Sequence, residues 1–297
     1  MKAITTLKFI KSHPLTKRKV LKAILRILKW QISSRMIDGS IVFNWIEDSK
    51  FIVKRGDTGL TGNIYSGLHE FYEMGFLLHF LREDDLFLDV GANVGSYTIL
   101  AGKVNGSRCI SIEPIESTFR RLKLNIVVNS LEERIQILKC GTGEKSKTVG
   151  FTHNLDTMNH VVEQIPENSS SITKIEIRKI DEILEGQCPS LIKIDVEGYE
   201  VPTLTGAEKT LQNTILKAII IETNGSGKQY GYNDEEILTL LRRYNFTPFH
   251  YNPITRELFK LNGKSIQSGN TLFLRDEETV RERLHSAKKI IVNGTEF

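Results

Sequence analysis

Cysteine is scarce in this 297-residue sequence, which contains only Cys109, Cys140 and Cys188. The three stand singly, without a Cys-x-x-Cys pair or an accompanying histidine spacing, so neither a disulfide framework nor a zinc site is indicated. We expect all three to be small buried apolar residues. The sequence also lacks a run approaching the ~18 consecutive apolar residues that a membrane-spanning helix needs. The basic N-terminus has no signal-peptide pattern, so we expect a cytoplasmic protein.

Acidic residues are missing from the N-terminal end of the chain. Residues 1 to 37 carry ten of the 40 Lys and Arg and none of the 36 Asp and Glu, which leaves 30 basic and 36 acidic residues for the rest. The body is therefore mildly acidic, and this charge balance argues against a nucleic-acid-binding face. We predict no nucleic-acid partner, and we assign the basic character to the N-terminal arm alone.

The basic arm contains an amphipathic pattern. Within residues 17–36, apolar side chains recur every three or four positions, which predicts a helix with an apolar stripe and lysines beside it. Two interpretations stay open. The helix packs on the rest of the protein with its lysines in water, or it lies on an anionic membrane and makes the protein peripheral to the inner face.

Apolar strands alternate with helical segments from about residue 81 to 275. This alternation predicts an α/β fold with a doubly wound, mostly parallel sheet. Residues 1–40 form the basic arm, 41–80 a cap, 81–275 the main domain and 276–297 a C-terminal helix over Glu277–Ile291. The predicted strands of the main domain are Leu86–Val90, Cys109–Ile112, Ile135–Leu138, Ile175–Ile180, Leu191–Ile194, Ala218–Ile221 and Thr271–Leu274, with a hairpin at Thr247–Phe259.

Two segments have weaker patterns. Gly59–Tyr65 in the cap is predicted as strand and turn. Gly141–Lys174 has little apolar periodicity, and its length suits an irregular lid over substrate or cofactor. His160 lies in this segment and is a secondary candidate for a base, as is His69 in the cap.

The strongest local signal is a strand that runs into Asp89-x-Gly91-x-x-x-Gly95 and then a helix. Glycines let a ligand approach the backbone, and the helix N-terminus offers free N–H groups. The second strand ends in Glu113-Pro114, where a carboxylate can accept hydrogen bonds from both hydroxyls of a ribose. Together these features predict a nucleotide-type crevice at the carboxyl ends of the strands.

The turn itself discriminates between cofactors. A dinucleotide site needs Gly-x-Gly-x-x-Gly, but Asn93 and Ser96 occupy its second and third glycine positions, so NAD fits poorly. A phosphate loop fits less well, because no Gly-Lys-Ser/Thr follows. S-Adenosylmethionine has no phosphate and tolerates the looser turn.

The sequence resembles the FkbM family of S-adenosylmethionine-dependent methyltransferases over about residues 62–274. The resemblance implies a class I, Rossmann-like methyltransferase fold with an N-terminal helical and β extension. It also implies O-methylation of natural products, or of sugars in surface polysaccharides and glycolipids. The residues that carry it are Gly62–Tyr65, Asp89–Thr98, Glu113-Pro114, Leu191–Glu200 and Gly206-Ala207.

The resemblance also implies residue roles. Asp89 and the turn residues hold the methionine part of the cofactor, and Glu113 with Pro114 holds the ribose. Gly141 flanks the adenine. The position of Asp195 at a strand end, rather than the resemblance, gives it two possible roles: it contacts the methionine amino group or acts on the substrate. The turn residues are Gly91, Ala92, Asn93 and Gly95.

Asp195 and Glu222 end two strands on the rim where substrate meets cofactor, and they are the predicted catalytic residues. A hydroxyl acceptor has to lose its proton, which requires a general base or a metal ion. We favour catalysis by a general base without a metal ion, and we assign no residue as a metal ligand. A Mg²⁺ ion held by Asp195, Glu222 and Asn224 is the lesser alternative, because oxygen ligands suit it.

The sequence therefore predicts an S-adenosylmethionine-dependent O-methyltransferase. Its expected partner is a small-molecule or carbohydrate acceptor, with a sugar hydroxyl of a glycan, glycolipid or natural product as first choice. Two alternatives stay open: a catalytically silent module that binds S-adenosylmethionine, and, as a poorer fit, an NAD-dependent enzyme.

Overall fold

The computed structural model describes residues 2–152, 161–162 and 172–297. The helices α1 to α11 are Lys2–Ser12, Val20–Met36, Thr58–Ser66, Phe71–Phe80, Ser96–Ile99, Glu116–Val128, Ile180–Leu184, Glu200–Thr205, Glu208–Gln212, Asp234–Arg243 and Glu277–Ser286. The strands β1 to β16 are Ser40–Asn44, Lys50–Lys54, Leu86–Val90, Arg108–Ile112, Ile135–Leu138, Gly141–Thr142, Lys147–Thr152, Val161–Val162, Ile172–Arg178, Leu191–Ile194, Ala218–Glu222, Thr247–Asn252, Glu257–Lys260, Asn270–Leu274, Ile291–Val292 and Thr295–Glu296.

The central sheet has eight strands in the order β5-β4-β3-β10-β11-β14-β12-β13. The first five are parallel, and the last three join with antiparallel pairing. The chain passes from β3 to β4 on one side and later returns to β10 on the other. This reversal places a topological switch point at the carboxyl ends of β3 and β10. The predicted doubly wound, mostly parallel α/β fold is confirmed.

Both faces of this sheet are covered, because successive side chains of a strand point to opposite faces. Phe87 packs into a core that includes α4 and α11, while Leu88 packs into a second core with α7, α8 and α10. All five residues of β3 are buried, as expected for a parallel strand between two helical layers.

The N-terminal region contains α1 to α4 and the antiparallel β1–β2 hairpin. Its segment Gly59–Tyr65 is helical within α3, so the prediction of strand and turn there is wrong. Leu60 and Ile64 are four positions apart and both are buried in one small core with α2. Packing therefore selects the helix although Gly59 and Gly62 lower its intrinsic propensity.

The segment Gly141–Lys174 is more regular than its sequence pattern predicts. Its described parts form a small sheet in the order β6-β9-β7-β8, in which β7 and β9 pair antiparallel over six residues. The strand predicted at Ile175–Ile180 begins and ends earlier, as β9, and Ile180 opens α7. His160 and residues 166–171 lie outside the described residues.

The C-terminal segment also differs from its prediction. The helix predicted to reach Ile291 ends at Ser286, and β15 and β16 form a hairpin after it. Asn293 and Gly294 connect the two strands with φ of 53° and 71°. Two successive residues with positive φ fit a two-residue hairpin turn, for which Asn-Gly is a preferred pair.

The three cysteines are free thiols. Cys109 and Cys140 are buried as predicted, whereas Cys188 is only partly buried. Burial raises the pKa of the Cys140 thiol to about 11, so this side chain is neutral at physiological pH.

Candidate active site

A cavity of about 260 Å³ opens at the carboxyl ends of β3, β4, β10 and β11. This is the switch point of the sheet, where ligands of such folds bind. The strand ends therefore place residues that are far apart in sequence around one space. Seven of the residues predicted for the site line it: Gly91, Asn93, Glu113, Pro114, Gly141, Asp195 and Glu222.

Glu113 lies at the end of β4 with its carboxylate fixed by the backbone. Its Oε2 accepts a hydrogen bond from the Asn93 N–H at 3.0 Å, and its Oε1 accepts one from the Ile115 N–H at 2.9 Å. Each oxygen keeps a lone pair that can accept from a ligand hydroxyl. Burial raises the pKa of Glu113 to about 7. The geometry suits a residue that receives the two hydroxyls of a ribose.

The turn after β3 is clamped onto β4. The N–H groups of Gly91 and Ala92 both donate to the Ile112 carbonyl, at 3.0 and 2.9 Å. A Cβ on Gly91 would lie 1.8 Å from the carbonyl oxygen of Asp195, and Gly91 has φ of +78°. The close contact with the Asp195 backbone therefore requires glycine at position 91, whether or not a ligand also approaches this turn.

Three predicted residues lie near the cavity without lining it. Ala92 contributes its backbone to the clamp, and its side chain is buried in the core with α4. Gly95 has φ of +93°, and a Cβ there would lie 2.7 Å from Leu122. Asp89 is buried under the turn. Their predicted contacts with the methionine part remain predictions.

Asp89 is satisfied by the protein itself. Its Oδ2 accepts hydrogen bonds from the Thr98 N–H at 3.1 Å and from the Thr98 hydroxyl at 2.6 Å. Burial raises its pKa to about 6. These bonds tie the end of β3 to α5, so the carboxylate fixes the helix that follows the turn.

One side of the cavity is apolar. Ile115 follows β4, and Ile175 and Ile177 project from β9 beside Gly141. A Cβ on Gly141 would lie 2.6 Å from Ile177 Cδ1, so a larger residue would push this isoleucine out of place. Flat apolar walls of this kind can hold an aromatic base next to the ribose position.

Lys193 is a functional candidate that sequence reasoning missed. It is a buried lysine in the otherwise apolar strand β10, and its Nζ donates to Asp195 Oδ2 at 2.9 Å and lies 5.4 Å from the centre of the Tyr97 ring. Burial disfavours the ammonium, but the carboxylates of Asp195 and Glu70 outweigh this, so the pKa of Lys193 lies above its ordinary value. A lysine inside an apolar strand was the available signal.

A buried polar network extends from this lysine. Glu70, just before α4, accepts a hydrogen bond from the Tyr97 hydroxyl at 2.7 Å and another from the Asn270 side-chain amide at 2.6 Å. Glu73 accepts one from the Ser268 hydroxyl at 2.5 Å, and burial raises its pKa to about 7. The cap residues therefore supply carboxylates to the same end of the sheet.

Glu222 ends β11, and its Oε2 is buried without a hydrogen-bond partner among the described residues. Burial, together with the carboxylates of Asp195 and Glu197, raises its pKa to about 9. Burial and Asp195 also raise the pKa of Glu197 to about 7. These effects favour the protonated form of Glu222, and a positive charge bound in the cavity would favour release of the proton.

The Mg²⁺ alternative finds no support. Within residues 2–152, 161–162 and 172–297, no group of three or more His, Cys, Asp and Glu side chains is arranged to hold a metal ion. The Asn224 side-chain oxygen accepts a hydrogen bond from the Ser226 N–H at 2.8 Å, which engages it in a local turn. His69 lies against Phe9 and does not line the cavity.

The chain is similar in sequence to known methyltransferases. Hexuronic acid methyltransferase AglP of Haloferax volcanii is 28% identical over 166 residues, which are 56% of this chain and 64% of that protein. Methyltransferase 1 of Beauveria bassiana is 22% identical over 152 residues, 42% of this chain and 59% of that protein. The chain thus matches less than two thirds of the length of either relative. An rRNA methylase structure from Streptococcus thermophilus aligns with a TM-score of 0.37 at 15% identity, covering 68% of this chain and 91% of that one.

The sequence profile of the Methyltransferase FkbM domain matches residues 89–248, more than half of the chain. The matched range begins in β3 and ends in β12, so it contains the cavity-lining ends of β3, β4, β10 and β11. It favours the methyltransferase prediction over the NAD-dependent alternative. The chain belongs to the FkbM methyltransferase family.

Proposed function

We propose that this protein transfers a methyl group from S-adenosylmethionine to a neutral hydroxyl of a sugar. One observation carries the proposal. A single cavity has a backbone-fixed carboxylate, Glu113, on β4 and two further carboxylates, Asp195 and Glu222, at the ends of β10 and β11. The first fits a ribose, and the others border the space where a methyl group and an acceptor would meet.

The charge of the cavity supports this cofactor. Its described lining contains the four carboxyl side chains of Glu113, Asp195, Glu197 and Glu222 and no Lys, Arg or His. S-Adenosylmethionine carries a sulfonium and an ammonium group, and when bound it supplies an electrophilic methyl group. An acidic, partly desolvated cavity complements these cations, because electrostatic attraction is stronger away from water. Glu222 Oε2, which no described residue contacts by a hydrogen bond, is a further acceptor in this space.

Each residue has a distinct task in the proposed reaction. Glu113 accepts the ribose hydroxyls, and Gly141 with the isoleucines of β9 borders the base. Lys193 holds Asp195 in one orientation, which suits Asp195 to anchor the amino group. Fixed groups of this kind accelerate a displacement by holding the reacting atoms in line.

We assign proton removal from the acceptor to Glu222. Asp195 is engaged by Lys193, whereas Glu222 has an oxygen without a hydrogen-bond partner in the described parts of the chain and a raised pKa, which makes its carboxylate the stronger base. A cation in the cavity favours the ionised form of Glu222, so the base becomes available when the methyl donor is present. A base with a pKa near the working pH is well suited to general-base catalysis.

The acidic lining of the cavity also indicates which acceptor the site can bind. The name of the relative AglP points to a hexuronic acid and supports a sugar as the class of substrate. In this chain, however, the described cavity lining offers no cationic side chain for a free carboxylate. Burying an anion beside other carboxylates is unfavourable, so we propose a neutral hydroxyl as the acceptor.

A matched pair of acceptors tests the proposal. The purified protein is incubated with S-adenosylmethionine carrying a labelled methyl group and with either a methyl hexoside or the corresponding methyl hexuronide. We expect label in the neutral sugar and much less in the uronide. Label in the uronide carboxyl group alone would contradict the neutral-hydroxyl proposal, and no label across a broad panel of neutral glycosides would contradict the sugar proposal.

A further inference from the structure

Helix α2 has two opposite faces. Ala23, Trp30 and Ser34 are buried on the face toward the protein, where Ala23 and Trp30 share a core with Leu60 of α3. Five apolar residues, spaced three or four positions apart, lie on the opposite face and expose between 51% and 80% of their surface. They are Leu21, Leu25, Leu28, Ile32 and Met36.

The exposed stripe has basic residues on both of its edges. At 100° per residue, Lys22 and Lys29 lie along one edge and Arg35 along the other, and all three are exposed. No acidic residue occurs in positions 1–37. Long basic side chains beside an apolar stripe can place their stems on an apolar surface and their charges among anionic groups.

Other basic residues of this region fix the helix instead. Arg26 Nη2 donates to the Tyr65 carbonyl at 2.9 Å, and Lys19 Nζ donates to the Gly294 carbonyl at 2.6 Å. These bonds hold α2 with its buried face inward. The exposed stripe of α2 therefore stays in water unless something covers it. Covering its five large apolar side chains is favourable.

We propose that the exposed face of α2 binds the surface of a bilayer that contains anionic phospholipids. Charge decides between occupants, because an apolar stripe flanked by Lys22, Lys29 and Arg35 complements a negatively charged surface. The stripe would enter the boundary between headgroups and acyl chains while the helix lies parallel to the membrane. None of the described helices is long and apolar enough to cross a bilayer.

Docking in this way would bring the cofactor turn close to the membrane. The buried face of α2 shares its core with Val94, which belongs to the turn after β3. The cavity-lining Asn93 is the neighbouring residue.

Vesicle flotation of the full chain tests this proposal. The probes are phosphatidylcholine vesicles and vesicles of phosphatidylcholine mixed with phosphatidylglycerol, each over a range of salt concentrations. We expect binding to the mixed vesicles that weakens as salt increases, since salt screens the charges. Leu25→Gln with Leu28→Gln should lower the partition coefficient about tenfold or more. Lys22→Gln with Lys29→Gln should weaken binding to mixed vesicles and flatten the salt dependence.

Matched variants control for general surface effects. Leu124→Gln with Ile215→Gln removes two apolar side chains of similar exposure elsewhere, and Lys123→Gln with Lys209→Gln removes two exposed charges elsewhere. Neither pair should change vesicle binding, and all variants should keep the far-UV circular dichroism of the parent. Absence of binding, equal binding to neutral vesicles, or equal loss in the control variants would overturn the proposal. A concentration-dependent dimer that the leucine variant disperses, without vesicle binding, would assign the stripe to a second copy instead.

Discussion

The Lys193 ammonium donates to the Asp195 carboxylate across 2.9 Å, from a position two residues earlier in the chain. Lys193 is buried in β10, whereas about a third of the Asp195 side chain is exposed to the cavity. A cation inside the sheet thereby holds a carboxylate at the mouth of the active site. The pair links the stability of the core to the geometry of the site.

Replacing Lys193 with Met should therefore destabilise the protein. The variant leaves Asp195 and the nearby Glu70 without their cation, and breaking a buried ion pair typically costs about 3–5 kcal/mol. The matched control is Lys217→Met, which removes the partly exposed Lys217–Asp276 pair and should cost about 0–1 kcal/mol. Urea denaturation followed by circular dichroism measures both. Equal losses in the two variants would show that Lys193 has no special role in the fold.

Cofactor affinity should depend on pH through Glu113. Its pKa is raised to about 7 in the free protein, and the ionised form is the stronger acceptor for ribose hydroxyls. Affinity for S-adenosylhomocysteine should therefore rise with pH, about tenfold between pH 6 and pH 8, if only the ionised form binds. Glu113→Gln should weaken binding at pH 8 by about 1.5–3 kcal/mol and reduce this pH dependence.

Glu200→Gln is the control for that experiment. Glu200 is also buried and also accepts hydrogen bonds from two backbone N–H groups, but it does not line the cavity. Calorimetric titration of both variants separates the cost of burying an amide from the loss of a ribose contact. Unchanged affinity of Glu113→Gln for S-adenosylhomocysteine at pH 8 would remove the ribose assignment.

Gly91→Ala should disrupt the contact between β3 and β10. The new Cβ would lie 1.8 Å from the Asp195 carbonyl oxygen, so the backbone must move. Gly186 has a similar φ of +88° with open space around it, and Gly186→Ala should cost only about 1 kcal/mol for the unfavourable dihedral. We expect Gly91→Ala to lose more than about 3 kcal/mol, or not to fold. Comparable thermal unfolding of the two variants would contradict this close approach.

The regular elements of the fold could be predicted from local patterns. The mostly apolar runs at Leu86–Val90 and Leu191–Ile194 coincide with β3 and β10, because strands buried on both faces leave a nearly continuous apolar signal, interrupted here only by Asp89 and Lys193. Helix α3 could not be predicted in this way, since its two glycines lower the helix propensity of the segment. Its buried face becomes evident only from its packing against α2. The Asn293-Gly294 hairpin was predictable from its turn residues and was missed.

Some residues of the site could also be predicted from local sequence patterns, and others could not. Residues of the turn and the strand ends were predictable, because parallel strands bring their carboxyl ends to one edge. The network of Glu70 with Tyr97 and Asn270 was not, since it joins residues up to 200 positions apart. Nothing local in the sequence pairs β14 with the start of α4, so these contacts follow only from the assembled sheet.

The role of Glu222 is the central mechanistic claim, and a single-turnover assay tests it most directly. The protein is first saturated with labelled S-adenosylmethionine and then mixed with an acceptor that the unmodified protein methylates. Glu222→Gln should slow methyl transfer about 10²- to 10⁴-fold with cofactor affinity retained, the range for loss of a general base. Glu208→Gln, which changes an exposed carboxyl group outside the cavity, should stay within a few-fold of the unmodified rate. Methyl transfer by Glu222→Gln at the unmodified rate would contradict the account.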